Sequence, residues 1–179
     1  MVWQTATVGL ALSGALARFD ARPPLLMVLL LGVAGGATLQ RGLPLAALVG
    51  FQAFRLPLEL IMHGAAAEGV MPPQMTFTGW NFDIVTGASA VVVAGLMAGG
   101  LGGRSLVFAW NAMGSALLLS IVVIAVASTP LFAAFGEGPA LNTFVAYAPF
   151  TTLPTVMVLL AAAGHLLLWR RLLAAPSGA

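Results

Sequence analysis

Residues 105–127, SLVFAWNAMGSALLLSIVVIAVA, contain no Asp, Glu, Lys, Arg or His. A helix of about 20 residues, rising ~1.5 Å per residue, crosses the ~30 Å hydrocarbon core of a bilayer and pairs its own backbone polar groups while doing so. The remainder of the chain has the same character, with 60% hydrophobic and 7% charged residues among 179. A soluble domain carries about a quarter charged residues, so a water-soluble fold is excluded. Apolar runs bounded by Arg, Pro or Gly predict helices at about 2–17, 24–40, 43–66, 82–101, 105–127 and 150–170. The expected fold is all-α, a polytopic transmembrane helical bundle of about six helices, or five if the short first one does not span. A single domain covers 1–179, with no room for a separate soluble one. Ala15-Leu16-Ala17 has the small-x-small form of a signal-peptidase site, but no Lys or Arg precedes the apolar run, so the first helix is expected to be retained.

The seven basic residues are all Arg. With six spans, Arg41, Arg104, Arg170 and Arg171 fall on one side, and Arg18 and Arg22 on the other with Asp20, Glu68 and Glu137. The positive-inside rule then puts both termini in the cytoplasm and the connections 67–81 and 128–149 outside. On this arrangement Trp3, Trp110 and Trp169 belong to the inner interface and Trp80 to the outer one. The spacings Gly9-x-x-x-Ser13, Gly32-x-x-x-Gly36 and Gly95-x-x-x-Gly99 are candidate helix contacts.

Composition also removes several chemistries. Without Lys no retinal or pyridoxal Schiff base forms, and without Cys there are no disulfides or thiolate sites. His63 and His165, the two histidines, are expected near opposite faces, which argues against a bis-His haem and against a zinc site. No cofactor or metal is expected. The scattered Arg residues do not form a basic nucleic-acid surface, and no phosphate loop, GxSxG elbow or HExxH pair occurs.

Against this background FRLPLELIMH, residues 54–63, is anomalous. Arg55, Glu59 and His63 recur every four residues and therefore share one stripe of a helix. Arg55 falls near the midplane, Glu59 about one turn outward and His63 near the outer interface. A midplane charge costs at least ~2.5–3.5 kcal/mol on insertion scales, so Arg55 needs a partner, for which Glu59 is the nearest group. Pro57 lacks the N–H that would bond the Ala53 carbonyl, and it bends the helix there. MPPQMTFTGWNFD follows, in which Pro72, Pro73 and Gly79 forbid a regular helix. This predicts a structured outer loop that dips toward the bundle. Asn81 and Asp83 are expected to cap the next helix, with Asp83 at the depth of His63. The candidate binding residues are Arg55, Glu59, His63, Asn81 and Asp83. Gln52 and Asn111 are expected to make interhelical hydrogen bonds, and His165 to lie near the inner end of the last helix.

The runs FRLPLELIMH, EGVMPPQMTFTGWNFDIVTG, WNAMGSALLLSIVVIAVASTP and LNTFVAYAPFTTLPTVMVLLAAAGHLLLWRRL together resemble a family of small, functionally uncharacterised bacterial multi-pass membrane proteins. The resemblance spans about residues 50–173. It implies a bacterial inner-membrane location and a patterned set comprising Arg55, Glu59, Asn81, Asp83, Asn142 and His165. Thr78 and Trp80 depart from the pattern, which associates Glu with the first position and a polar or basic residue with the second. The resemblance carries no activity.

Three functional readings follow. The first is a membrane-embedded protein that binds or carries a small or lipid-like ligand, with an Arg/Glu/His/Asp site open to the outer side and roofed by 70–80 and 137–150. Such a site can hold an anionic headgroup or relay a proton. The second is a structural or accessory subunit of a larger membrane complex, with a membrane-protein partner or a second copy of the chain against its small-residue faces. In that case the Arg–Glu pair only pins the third helix. The third is an enzyme using Glu59 with His63, or His63 with Asp83, as acid and base, and it lacks a nucleophile or metal. The bilayer is the one partner common to all three.

Overall fold

The computed structural model describes residues 43–174, together with Thr5, Val8, Gly9, Leu12 and Ser13. The described residues are helix and loop, with no strand among them. The expected helix at 24–40 and most of that at 2–17, with Trp3 and the Gly32-x-x-x-Gly36 spacing, lie outside the described residues. Three helical stretches, Leu45–Ala67, Arg104–Ala127 and Leu153–Leu173, are long and apolar enough to cross a membrane.

Helix α1 (Leu45–Phe51) and helix α2 (Arg55–Ala67) form the first stretch, joined by a 3-10 turn at Gln52–Phe54. The tightening sits where the sequence places a defect: Pro57 offers no N–H to Ala53, so the α-helical ladder is broken across this turn. Helix α2 ends in a turn closed by Gly69 N–H on the Ala66 carbonyl and Val70 N–H on the Ala65 carbonyl. Helix α3 (Ile84–Ala98) ends in the same way, with Gly100 N–H on Met97 and Leu101 N–H on Leu96. Both reversals require a left-handed residue, and Gly69 and Gly100 supply φ values of +71° and +74°. This early stop makes α3 15 residues, about 22 Å, instead of the expected 82–101 span.

Helix α4 (Arg104–Ala127) runs back antiparallel to α3, and helix α5 (Val158–Leu173) follows a π-turn at Leu153–Met157 that contains Pro154. One end of the bundle is tied by arginines. Arg104 donates to the Leu172 carbonyl and, at 2.8 Å, to the Ala174 carbonyl, while Arg171 donates to the Leu43 carbonyl. Cations on the last carbonyls of a helix satisfy acceptors and oppose the dipole. The loops 68–83 and 128–152 occupy the other end, and there Gln74 joins them, bonding Ser128 Oγ at 3.1 Å and the Ala140 carbonyl at 2.8 Å. Met71, Gln74, Met75 and Thr76 are buried, so the first loop does fold back into the bundle.

The bundle buries polar side chains alongside two apolar clusters and turns further apolar side chains outward. Leu60, Ile61, Val91, Val92, Leu119 and Val123 are exposed, whereas Gln52, Arg55, Glu59, Asn81, Asp83, Asn111 and His165 are buried. In water such a surface would associate, but against lipid tails it is the favourable arrangement. Trp110, expected toward the inner interface, is turned into the bundle. It is 5% exposed and donates from Nε1 to Ser89 Oγ at 2.9 Å, because a partner hydroxyl inside the bundle satisfies its N–H.

Candidate functional site

Close crossings, made by glycines, assemble the site. A Cβ at Gly87 would lie 2.9 Å from the Arg55 carbonyl carbon and 3.0 Å from the Leu56 Cα, so α3 touches α2 backbone to backbone there. One turn earlier on α3 stands Asp83, which the crossing brings opposite Arg55. On α4, a Cβ at Gly114 would lie 2.6 Å from His165 Cε1 and 2.8 Å from Thr86 Cγ2, so its absence makes the slot for the imidazole. Among the described residues the expected contact at Gly95-x-x-x-Gly99 does not form: a Cβ at Gly95 would meet nothing within 4 Å, and one at Gly99 would meet only the carbonyls of its own helix.

Arg55 is the centre of the network and is 1% exposed. Its Nε donates to Asp83 Oδ2 at 2.5 Å and its Nη2 to Asp83 Oδ1, a two-point contact of guanidinium on carboxylate. Its Nη1 lies 2.8 Å from His165 Nε2. A guanidinium only donates, so His165 Nε2 accepts and the ring proton resides on Nδ1. Consistently, Nδ1 sits 2.8 Å from Asn111 Oδ1, whose orientation follows from the Asn111 Nδ2 bond to the His165 carbonyl at 3.3 Å. His165 is therefore neutral and is held at both nitrogens.

These contacts correct the expected pairing. Glu59 is not the partner of Arg55; Asp83 takes that role, since a carboxylate delivered from a facing helix meets the fork squarely. Nor does Asp83 cap α3, for its side chain makes no capping bond and both oxygens are spent on Arg55. Asn81 caps instead. Its Oδ1 accepts from the Asp83 backbone N–H at 3.0 Å, and its Nδ2 faces Glu59 Oε1 and Oε2, both at 2.9 Å, and the Met75 carbonyl at 3.1 Å. Glu59 is 3% exposed and, among the described residues, has this single amide as its donor.

His63 stands apart from the other four expected residues. It stacks on Phe77 with ring centroids 4.6 Å apart and, among the described residues, hydrogen-bonds only Thr78 Oγ1, at 3.5 Å, because one further turn of helix beyond Glu59 carries it past the buried cluster toward the loop. His165, expected near the inner end of its helix, joins the cluster in its place. As expected, Gln52 and Asn111 both bond across helices, Gln52 Nε2 donating to the Ala161 carbonyl at 2.9 Å. The sequence signal for His165 was a lone imidazole in an otherwise apolar run, but nothing local connects it with Arg55, 110 residues earlier.

A cavity of about 200 Å³ opens beside the cluster, between α2, α4 and the start of α5. Arg55, Glu59 and Asp83 line its polar end. Its walls are apolar, including Leu58, Met62, Leu118, Ile121, Val122 and Val158, and it extends to Thr129 and Asn142 at the loop end. Met75 and Val145 from the two loops also border it, and the π-turn contributes Leu153, Pro154 and Met157. A π-turn widens the helix locally, and with Pro154 it keeps this wall from packing as a regular helix would. Among the described residues no three His, Asp or Glu side chains converge as a metal site would require. Comparison with family models, with curated proteins and with solved structures finds no match.

Proposed function

We propose that this is a multi-pass protein of the bacterial inner membrane, with both termini cytoplasmic, that binds or carries a small or lipid-like ligand in the cavity between α2, α4 and α5. Arg55, Asp83, Glu59 and Asn81 form the polar end of the site, and the loops 70–80 and 137–150 border its outer end. One coincidence carries the reading. All the buried ionisable side chains of the described residues, Arg55, Glu59, Asp83 and His165, gather in one cluster, and the cavity adjoins it. An ion pair that only fastens helices needs no space beside it, because interiors pack to crystal-like density. At about 200 Å³ the cavity is smaller than the ~300–1,000 Å³ typical of drug-sized ligands, so its occupant is a small molecule or the end of one alkyl chain.

The test is native mass spectrometry of protein extracted from its own membrane. A small molecule should be retained, and Ala125→Phe, which projects a ring into the cavity, should release it while the protein stays folded. Protein that retains nothing, or that retains the same species after Ala125→Phe, overturns the reading.

A further inference from the structure

Among the described residues, the polar end of the cavity is short of hydrogen-bond donors and carries one carboxyl group, that of Glu59, with no cation hydrogen-bonded to it. The positive charge of Arg55 is committed, with Nε and Nη2 on Asp83 and Nη1 on His165. The imidazole accepts that bond and is neutral, so Arg55 and Asp83 cancel and the formal charge left over belongs to Glu59. A carboxylate offers about four lone-pair sites. Its donor, Asn81 Nδ2, has two hydrogens to share among Oε1, Oε2 and the Met75 carbonyl. Glu59 therefore keeps accepting capacity at the cavity wall.

Asn142 adds a second acceptor independently. Its Nδ2 donates to the Ala125 carbonyl at 3.0 Å, which settles the orientation of the amide. Its Oδ1 is then left without a partner on a side chain that is 3% exposed and lines the same cavity. A buried acceptor left unpaired loses the hydrogen bond it would make to water, and a ligand donor would restore it.

Resting on the binding role proposed above, we infer that the ligand is a cationic amphiphile with N–H donors, an alkylammonium whose head group pairs with Glu59 and whose hydrocarbon lies along the apolar walls. This reverses the anionic headgroup that the sequence allowed for an Arg paired with Glu near the midplane. An anion here would meet Glu59 with no spare cation among the described residues, and like charges at close range repel strongly where the dielectric is low.

The test uses full-length protein in nanodiscs of zwitterionic lipid and three probes of equal chain length: octylamine, octanol and octanoate. Binding is measured by titration calorimetry against empty nanodiscs, which removes simple partitioning. Octylamine should bind at least about tenfold more tightly than either of the others. Glu59→Gln should bring octylamine to the level of octanol. Equal binding of the three, or preference for octanoate, overturns the inference and leaves the cavity as a binding site. Binding of none of them overturns both. The wild-type comparison decides the matter even if Glu59→Gln fails to fold.

Discussion

Arg55 and Asp83, 28 residues apart, meet as a two-point ion pair between α2 and α3, both almost wholly buried. Neither residue is placed by its own helix alone, because the pair exists only where Gly87 lets the two backbones touch. A buried pair of this kind is costly to break and less costly to replace. Asp83→Ala leaves an uncompensated guanidinium and should destabilise the protein by about 3–5 kcal/mol. The double change Arg55→Met with Asp83→Leu should recover most of that loss. Reversible unfolding of all three variants in mixed micelles measures both effects.

Arg55→Lys is not a conservative change in this setting. The ammonium lacks the planar fork that spans both Asp83 oxygens while a third nitrogen reaches His165. Stability should fall by about 1–3 kcal/mol, since at least one of these buried partners loses its hydrogen bond. A double-mutant cycle of Arg55→Lys with His165→Ala should give strongly non-additive energies if both residues belong to one network.

The helix crossings make opposite predictions for glycines that look alike in sequence. Gly87→Ala and Gly114→Ala each insert a methyl group into occupied space and should cost about 1–3 kcal/mol or more, Gly87 the greater because its neighbour is backbone. Gly95→Ala meets nothing within 4 Å and should be neutral or stabilising by up to about 1 kcal/mol through helix propensity. Thermal unfolding of the three single variants reads out the order directly.

Gln74 holds the loops together from a single amide nitrogen, which reaches Ser128 Oγ and the Ala140 carbonyl. Gln74→Leu keeps comparable bulk and removes the donor, at a cost of about 1–3 kcal/mol if the acceptors stay buried. Hydrogen exchange should quicken in residues 137–145 and remain unchanged in α4, since the lost bonds restrain the loop and not the helix. Equal quickening in α4 would mean that the tie supports the whole bundle.

Much of the architecture could be read from hydropathy. The runs at 43–66, 105–127 and 150–170 correspond to Leu45–Ala67, Arg104–Ala127 and Leu153–Leu173 within three residues at each end. Each is a local property of consecutive side chains, and so is the break signalled by Pro57. The site was only half legible. Four-residue spacing marked Arg55 and Glu59 as buried, correctly, but the same spacing assigned them to each other and swept in His63, which the loop takes instead.

The order of amino acids by itself determined that this chain forms apolar helices, where three of them begin and end to within three residues, and that charges within a span must turn inward, because the cost of a charge in hydrocarbon is paid residue by residue. Tertiary structure alone decided that Asp83 and His165 are the groups Arg55 meets, that Glu59 is left facing a cavity, and that Gly87 and Gly114 hold the contacts and Gly95 does not. Those outcomes depend on which helices cross and how closely. A crossing is a relation between segments as much as 110 residues apart, which no local period of the chain encodes.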